Sequence, residues 1–405
     1  MLRLLVYRPR RRPLRRGAAP LLVAPLFALG VGAAAVVVTV AASAGCSSGG
    51  TVPLPETPFP DATRAALDAA VAKTMADFGF PGAAVGIWMP SKGNYVAMHG
   101  AADPATGRAL QRGDHFRIGS ITKTFTITAL LRLADEKKLS LNDPVSKYLD
   151  FVPNGQNITL RMMANMTSGL FNYSEDDPWV DTIFGDTQRV WTPRELVDVG
   201  LKHDPYFDPG QGWHYSNTNT VLLGMVIEKV TGKPVGEVFA EKLFRPLGLK
   251  NTNWPASSAI PAPFARGVTE QTLDGKRADA TERDPSWAYT AGQIISTLDD
   301  LKVWVRSYAT GSLLSREMQA ERLTWVTLPP NTPQRAYGLG IGTDNGWLGH
   351  TGELPGYNTA AFFLPEQDAV IVVMVNSDIP KDKLNPAPAL FKALAEVVTP
   401  GNVPH

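Results

Sequence analysis

Apolar side chains recur at every second position in 84–89 and form two short runs, 359–364 and 369–375, separated by a polar turn. Alternation and short apolar runs bounded by turn residues predict strands. Apolar residues three and four apart in 61–78 and 387–398 predict a helix beside each group of strands. We therefore expect one antiparallel sheet, built from both ends of the chain and covered by the terminal helices.

The middle of the chain has a helical pattern instead. Residues 192–195, Thr-Pro-Arg-Glu, form a capping box that marks a helix start. Two further apolar segments, 221–230 and 235–245, are predicted helices that end at Gly232 and Pro246, respectively. Strands at the ends with helices between them predict a mixed α/β (α+β) fold with an inserted all-helical lobe.

The first 45 residues predict an export signal. They contain seven arginines and no acidic residue, and an apolar run at 21–40 follows the arginines. The run ends in Ala-Ser-Ala-Gly-Cys, which permits cleavage after Ala44 or, as in the bacterial lipoprotein signals that it resembles, lipidation of Cys46. An uncleaved membrane anchor is the third interpretation, since 20 apolar residues can span a bilayer. Lipidation is favoured because Cys46 is the only cysteine, and each interpretation places the body outside the cytoplasm.

The remaining chain divides into a tether and one domain. Ser, Gly, Thr and Pro dominate residues 46–60, a composition typical of a flexible tether. The domain is predicted at 61–400. Its sheet lobe comprises 61–118 and 285–400, and its helical lobe comprises 119–284.

Composition and charge exclude several classes of function. The 405 residues are 44% hydrophobic and 19% charged, which is typical of a globular protein. Beyond residue 45, 32 Lys and Arg stand against 38 Asp and Glu, so the body lacks the basic face that nucleic acids require. One cysteine excludes an internal disulfide and Cys-rich metal sites, and the six histidines form no close ligand pair. We expect no cofactor, no metal and no nucleic-acid partner.

Ser120 and Lys123 form a Ser-x-x-Lys motif at the start of a predicted helix. Helical residues three apart lie roughly 5 to 6 Å from each other between Cβ atoms, so Lys123 can reach the serine hydroxyl. A serine becomes a good nucleophile only beside a base or cation, and N–H groups at a helix start can stabilise an oxyanion. The alternative is a helix cap with a solvated lysine, because this motif is expected about once by chance.

A second motif, Tyr215-Ser216-Asn217, precedes the predicted helix at 221–230. Nearby cations lower the pKa of a phenol, which would let Tyr215 move the serine proton. Asn217 would offer its amide to an acyl substrate. The alternative is a turn with a buried tyrosine and an asparagine cap.

The third motif, His350-Thr351-Gly352, lies just before the last predicted hairpin. A strand edge there could run beside the nucleophile, and Gly352 would allow a close backbone approach. The alternative is a strand end with a turn glycine.

The three motifs, in this order, resemble those of the serine penicillin-recognising superfamily. The Tyr-x-Asn form resembles class C β-lactamases and their relatives, the D-Ala-D-Ala carboxypeptidases and esterases. The resemblance extends over about 61–398 and includes Phe-Arg-Ile-Gly at 116–119, Met-Thr-Ser-Gly-Leu at 166–170 and Tyr-Ser-Asn-Thr-Asn at 215–219. It implies a β-lactamase/transpeptidase-like fold.

The resemblance also implies a role for each motif. Ser120 would be the nucleophile, Lys123 would lower its pKa or accept its proton, and Tyr215 would act as general acid and base. Asn217 would hold the substrate's amide. The oxyanion hole would come from the backbone N–H groups of Ser120 and Glu353.

The third motif would line the substrate site through His350, Thr351 and Gly352. His350 stands where β-lactamases of this type usually carry lysine, and histidine at that position is found among the carboxypeptidases. The implied protein is an extracytoplasmic, membrane-anchored lipoprotein that hydrolyses D-Ala-D-Ala peptides of the cell wall through a Ser120 acyl-enzyme. The alternatives are an esterase or amidase for small acyl substrates, a β-lactamase, or a non-catalytic protein that binds cell-wall fragments or β-lactams. Candidate pocket aromatics, which are equally good core residues, are Trp213, Trp287, Tyr289 and Tyr357.

Overall fold

The computed structural model describes residues 57–328 and 334–405. The predicted export signal, Cys46 and most of the predicted tether lie outside these described residues. The last part of the tether is inside them and belongs to the fold: Phe59 is buried, and its N–H donates to the carbonyl of Asn94 at 3.0 Å. The domain start at residue 61 stays a prediction, and the apolar Phe59 just before it already packs into the core.

The helices and strands of the described residues have the following bounds. The helices are α1 (Asp61–Phe78), α2 (Thr122–Asp135), α3 (Leu160–Ala164), α4 (Asp177–Gly185), α5 (Pro193–Leu201), α6 (Asn217–Thr231), α7 (Val235–Phe239), α8 (Arg245–Leu247), α9 (Leu298–Thr310), α10 (Arg316–Arg322) and α11 (Pro386–Val398). The strands are β1 (Gly82–Met89), β2 (Gly93–Asp103), β3 (Arg108–Ala109), β4 (Phe116–Arg117), β5 (Val268–Thr269), β6 (Ala278–Asp279), β7 (Ile295–Ser296), β8 (Val326–Thr327), β9 (Arg335–Tyr337), β10 (Gly342–Asp344), β11 (Trp347–Leu354), β12 (Tyr357–Leu364) and β13 (Ala369–Val375).

The main sheet joins the two ends of the chain. In the described ranges it has nine strands in the order β3-β2-β1-β13-β12-β11-β10-β9-β8. β1 pairs antiparallel with β13, with Val85 opposite Val373, and β13 continues through β12 to β11. The prediction of one antiparallel sheet built from both termini is confirmed.

Both faces of the central strands are buried. On one face, Val85 and Ile87 pack with Leu390 and other apolar residues of the terminal helices α1 and α11. On the other face, Trp88 packs in a larger cluster that includes Trp304 of α9 and the helices of the inserted segment. Helices cover both faces of the sheet, so the side chains of β1 that alternate between the two faces are all buried.

The inserted segment 119–284 is mainly helical but not all-helical. The capping box at α5 is confirmed, since Thr192 and Glu195 each accept a hydrogen bond from the other's backbone N–H. The segment also contains the antiparallel pair β5–β6, which was not predicted. These strands have only two residues each, too few to produce a readable alternation.

The predicted helix end at Pro246 was wrong. After α7 the chain makes a π-helical turn, Ala240–Phe244, and enters α8, which ends at Gly248 with φ of 66°. Pro246 lies within α8, which continues the π-helical turn without a break in helical backbone angles. Among the described helices, none has both the length and the apolar character needed to cross a membrane.

Candidate active site

Ser120 lies in a short 3-10 turn directly before α2, and β11 runs against this turn. A Cβ atom on Gly352 would lie 1.9 Å from the carbonyl oxygen of Ile118, and one on Gly119 would lie 2.4 Å from the backbone nitrogen of Glu353. The two glycines therefore allow the close approach that the third motif predicted. The approach brings the backbone of Glu353 beside the residue that precedes Ser120.

Lys123 is fully buried under Ser120. Its Nζ is 2.9 Å from the Ser120 Oγ and donates to the carbonyl of Ala291 at 2.8 Å. Burial lowers the pKa of Lys123 well below its usual value. A neutral amine has a lone pair that can accept the serine proton, so of the two roles implied for Lys123 the geometry favours the proton acceptor.

Tyr215 also faces the nucleophile. Its ring centroid is 4.8 Å from the Lys123 Nζ, and its buried hydroxyl lies within reach of the Ser120 hydroxyl. Burial raises the pKa of Tyr215 well above 10, Tyr337 adds to the rise, and Ser120 opposes it. The expectation that cations lower this pKa was wrong, because burial dominates and the neighbouring Lys123 amine is itself desolvated and neutral. Tyr215 is a neutral phenol, suited to donate a proton.

Asn217 is the first residue of α6 and is held by two neighbours. Its Nδ2 donates to the Ser174 Oγ at 2.9 Å, and its backbone N–H donates to the Asn172 Oδ1 at 2.9 Å. Its Oδ1 is buried and has no hydrogen-bond partner among the described residues. This oxygen is available to accept a substrate N–H. Asn172 and Ser174 belong to no motif and were not predicted from the sequence.

The Met-Thr-Ser-Gly-Leu segment at 166–170 forms hydrogen bonds that hold the second motif in place. The N–H of His214 donates to the carbonyl of Met166 at 3.0 Å, and Ser168 Oγ donates to the Asn219 Oδ1 at 2.6 Å. These bonds fix the residue before Tyr215 and the first turn of α6. The segment is therefore a positioning element for Tyr215 and Asn217.

His350 is buried, with 3% of its surface exposed, and points toward Tyr215 and Tyr337. Its Nε2 lies 3.1 Å from the Tyr337 hydroxyl, and its Nδ1 bonds to the carbonyl of Thr351. Burial, with Lys123 contributing, lowers the pKa of His350 to about 3. The imidazole is thus uncharged at neutral pH. Tyr337, its partner, was not predicted from the sequence.

We expect the burial of His350 to weaken the fold in mild acid. Its pKa is about 3 in the folded chain and about 6.5 when unfolded, so the unfolded chain binds more protons between these values. Its contribution to the free energy of unfolding is complete above pH 6.5 and falls by up to about 1.4 kcal/mol per pH unit below it. Denaturant titrations of wild type and His350→Gln at pH 7, 6 and 5 should give a stability difference that changes with this slope. A difference independent of pH would contradict the assignment.

The side chain of Glu353 is half-buried and bound on the sheet side of the site. Its carboxyl accepts hydrogen bonds from Gln271 at 3.2 Å and from Asn385, and Gln271 also bonds to Asp378. Burial and the nearby Asp378 raise the pKa of Glu353 well above its usual value, and burial raises that of Asp378 to about 6. These contacts anchor the end of β11, so the side chain of Glu353 holds the strand whose backbone lies beside Gly119.

The candidate aromatics have different surroundings. Trp213 packs edge-on against Tyr337 near Tyr215, with ring centroids 5.9 Å apart. Tyr357 and Trp287 are core residues, and Tyr289 lines a separate cavity. No group of three or more His, Cys, Asp or Glu side chains in 57–328 and 334–405 is arranged to hold a metal ion.

Sequence comparisons identify a family and several relatives of this chain. The Beta-lactamase family matches residues 67–395. The putative penicillin-binding protein PbpX of Bacillus subtilis (strain 168) is 27% identical over 266 residues, which cover 64% of this chain and 62% of PbpX. Protein flp of Staphylococcus aureus (strain MW2) is 26% identical over 270 residues, covering 64% of this chain and 52% of flp. The chain thus spans less than two thirds of the length of these curated relatives.

Solved structures show the same fold over a larger share of the chain. A D-stereospecific amidohydrolase from Streptomyces sp. is 33% identical with a TM-score of 0.75, and the match covers 84% of this chain and 99% of that one. A D-amino acid amidase from Ochrobactrum anthropi SV3, solved with L-phenylalanine amide, is 25% identical with a TM-score of 0.74, covering 84% and 98%. The family match includes all three motifs, which the fold brings together around Ser120, and the chain belongs to the beta-lactamase family of serine hydrolases.

Proposed function

We propose that the protein hydrolyses amides or short peptides of D-amino acids through an acyl-enzyme on Ser120. The observation that carries this proposal is the buried contact between Lys123 and Ser120, 2.9 Å long, in which burial lowers the pKa of the lysine. A neutral amine at hydrogen-bond distance is the base that a serine nucleophile needs. The neutral phenol of Tyr215 supplies the acid.

The first half of the reaction transfers the acyl group to the enzyme. The Ser120 Oγ attacks the substrate carbonyl carbon while its proton passes to the Lys123 amine. The carbonyl oxygen becomes an oxyanion between the N–H groups of Ser120 and Glu353. When the C–N bond breaks, the leaving nitrogen takes the Tyr215 proton, and the proton on Lys123 restores the phenol. The Asn217 Oδ1 accepts an N–H from the acyl part of the substrate.

In the second half, water attacks the acyl-enzyme carbonyl. One water proton passes to Lys123, and a second oxyanion forms in the same hole. The bond between the carbonyl carbon and the Ser120 Oγ then breaks, and Ser120 recovers the proton. The products are a carboxylic acid and free enzyme, with every proton accounted for.

The neutral His350 of the third motif favours a substrate whose leaving group carries no charge. A free carboxylate, as in a D-Ala-D-Ala peptide, is best bound by a cation, whereas His350 is a neutral imidazole. An amide leaving group needs no such charge. The match to a D-stereospecific amidohydrolase over 99% of its chain supports the same choice.

The second candidate is a D-Ala-D-Ala carboxypeptidase, the function that the resemblance of the three motifs implies. Curated relatives whose names describe penicillin-binding proteins favour it. Ester hydrolysis would use the same Ser120 chemistry, and β-lactam hydrolysis would additionally need rapid deacylation. A non-catalytic binding role is disfavoured because Ser120, Lys123 and Tyr215 are all present and in contact range.

Amidase and carboxypeptidase activity are separated by one set of assays. Full-length protein, Ser120→Ala and the exposed-serine control Ser257→Ala would be given D-phenylalanine amide, L-phenylalanine amide and a D-Ala-D-Ala peptide, with ammonia and D-Ala release measured. We expect turnover of the D-amide that disappears in Ser120→Ala and persists in Ser257→Ala. Faster release of D-Ala than of ammonia would instead establish the carboxypeptidase. No turnover, with no labelling by fluorophosphonate or fluorescent penicillin, would refute the hydrolase.

We also propose that the protein is exported and anchored through a lipid on Cys46. The arginine-rich start, the apolar run at 21–40 and the Ala-Ser-Ala-Gly-Cys sequence support this proposal. Radiolabelled palmitate should be incorporated by the wild type and not by Cys46→Ala, and the variant should leave the membrane fraction. Equal labelling of the two proteins would exclude the lipid anchor.

A further inference from the structure

Tyr337 is a buried neighbour of the catalytic groups that belongs to none of the three motifs. It lies on β9, and only 1% of its surface is exposed. Its hydroxyl is 3.1 Å from the Nε2 of His350, which lies two strands away on β11. On the intervening strand, Gly342 stands opposite Tyr337, and a Cβ atom there would already contact the Tyr337 ring at 3.9 Å. Because Gly342 has no side chain, the ring has room to reach His350.

Aromatic neighbours hold the Tyr337 ring in one orientation. The ring meets those of Trp213 and Tyr215 edge to face, with centroids 5.9 Å and 6.5 Å away. The imidazole of His350 meets the same ring edge to face at 5.8 Å. A buried phenol hydroxyl usually finds a hydrogen-bond partner, and His350 provides it here. The contact is therefore a fixed part of the site and not a chance approach of two mobile side chains.

The two hydrogen bonds of His350 determine which ring nitrogen carries the proton. The Nδ1 bonds to the carbonyl of Thr351, and a carbonyl oxygen only accepts, so the proton is on Nδ1. Burial lowers the pKa of His350 to about 3, so the ring is neutral and its Nε2 has a lone pair. The hydroxyl of Tyr337 therefore donates to Nε2.

Three titratable side chains face the imidazole from neighbouring elements. They are Lys123 of α2, Tyr215 before α6 and Tyr337 of β9. Burial lowers the pKa of Lys123 and raises the pKa of each tyrosine, so it favours the uncharged form of all three. These side chains therefore supply no negative charge that would favour a second proton on His350.

We propose that Tyr337 is a positioning residue that holds His350 in the Nδ1–H tautomer and thereby sets the specificity of the site against substrates with a free carboxylate. The Nδ1–H is directed at the backbone, and the Nε2 lone pair is taken by the Tyr337 hydroxyl. A carboxylate only accepts hydrogen bonds, so it finds no free N–H on His350. An amide at the same place does not need one. This inference rests on the Ser120 hydrolysis proposed above.

Removal of the hydroxyl should change what His350 can bind. Tyr337→Phe keeps the aromatic ring and leaves the Nε2 lone pair buried without a donor. When a carboxylate binds, the Nε2 can take a proton from solvent and donate it to the carboxylate, while the Nδ1–H stays on the Thr351 carbonyl. A hydrogen bond between two charged groups is stronger than one between neutral groups.

Nitrogen NMR on full-length protein with isotope-labelled histidine would test the tautomer directly, because protonated and unprotonated ring nitrogens have different chemical shifts. His350→Gln would assign the His350 signals. We expect a protonated Nδ1 and an unprotonated Nε2 at pH 7, and a changed Nε2 shift in Tyr337→Phe. A wild-type Nε2 that carries the proton, or an Nε2 shift that Tyr337→Phe leaves unchanged, would overturn the hydrogen bond. This measurement does not depend on any substrate being cleaved.

Specificity would be measured with two substrates that differ only at the carboxyl terminus, D-Phe-D-Ala and its C-terminal amide. The kcat/KM values of the wild type, Tyr337→Phe and the control Tyr95→Phe would be compared. The control is matched because Tyr95 is also buried and its hydroxyl contacts the Nε2 of a histidine, His99, at 2.9 Å. Tyr95 packs, however, in the cluster that contains the terminal helices.

We expect the wild type to prefer the amide, and Tyr337→Phe to shift the ratio of the two kcat/KM values toward the carboxylate about tenfold, the effect of one charge-assisted hydrogen bond. The shift should grow as the pH falls from 8 to 6, because it requires a protonated imidazole. Tyr95→Phe should keep the wild-type ratio. A ratio that Tyr337→Phe leaves unchanged would overturn the specificity role alone. A wild type that cleaves neither peptide nor D-phenylalanine amide would refute the proposed function together with this role.

Discussion

Lys123→Met is expected to lower kcat/KM by about 10³- to 10⁴-fold and to raise the stability of the fold at neutral pH. The activity falls because methionine keeps the volume of the side chain but removes the lone pair that accepts the Ser120 proton. The stability rises because the wild type has to deprotonate a fully buried lysine in order to fold. The two effects therefore have opposite signs, which distinguishes a catalytic lysine from a structural one.

The pH dependence of this stability gain follows from the direction of the lysine pKa. A folded-state pKa below the unfolded value means that the unfolded chain binds more protons, so the wild type gains stability as pH rises toward 10.5. The advantage of Lys123→Met should consequently shrink between pH 7 and pH 10. Steady-state kinetics and denaturant titrations of Lys123→Met, with exposed Lys250→Met as the control, test both parts. Unchanged activity would exclude Lys123 as the base.

Gly352→Ala is expected to lower kcat/KM by about 10²- to 10³-fold, the range for loss of an oxyanion-hole donor. The added Cβ would lie 1.9 Å from the carbonyl oxygen of Ile118, so β11 has to move away from the turn that carries Ser120. Because the neighbouring atom is backbone, a side-chain rotation cannot relieve the clash. The backbone N–H of Glu353 would move together with the strand.

The same substitution should destabilise the fold by about 1 to 3 kcal/mol, the usual cost of overpacking a buried position. Gly113→Ala is the matched control, since its Cβ would meet no atom within 4 Å. Kinetics with an amide substrate and fluorophosphonate labelling would both be measured, because an oxyanion hole assists both reactions. Full activity in Gly352→Ala would show that β11 does not position the oxyanion donor.

The contact between Ser120 and Lys123 was predictable because both residues lie within one helical turn. The partner of Lys123, the carbonyl of Ala291, was not, since a backbone group from a distant segment carries no sequence signal. The same holds for Tyr337, which meets His350 only after β9 and β11 enter the sheet. The spacing of the motif residues predicted which groups react. The groups that hold them in place come from tertiary contacts, which the spacing does not contain.

The protonation states were the least predictable part of the site. The sequence placed Tyr215 near a cation and so suggested a lowered pKa, but burial decides the direction for both Tyr215 and Lys123. Burial depends on how the inserted segment packs on the sheet, which local patterns do not contain. The short pair β5–β6 and the π-helical turn before α8 were not predicted, because each is too short to show a repeating hydrophobic pattern.

The pairing of β1 with β13 has a consequence for how the chain acquires its structure. Val85 and Val373, which face each other in the centre of the sheet, are separated by most of the domain. Contacts between residues this far apart in sequence form late, because the intervening chain must first lose conformational entropy. During synthesis β1 has no β13 to pair with until residues 369–375 have been made. We therefore expect the sheet to close only after β13 has been made, and chains truncated before β13 to expose the edge of β1 and to aggregate rather than form a smaller active domain.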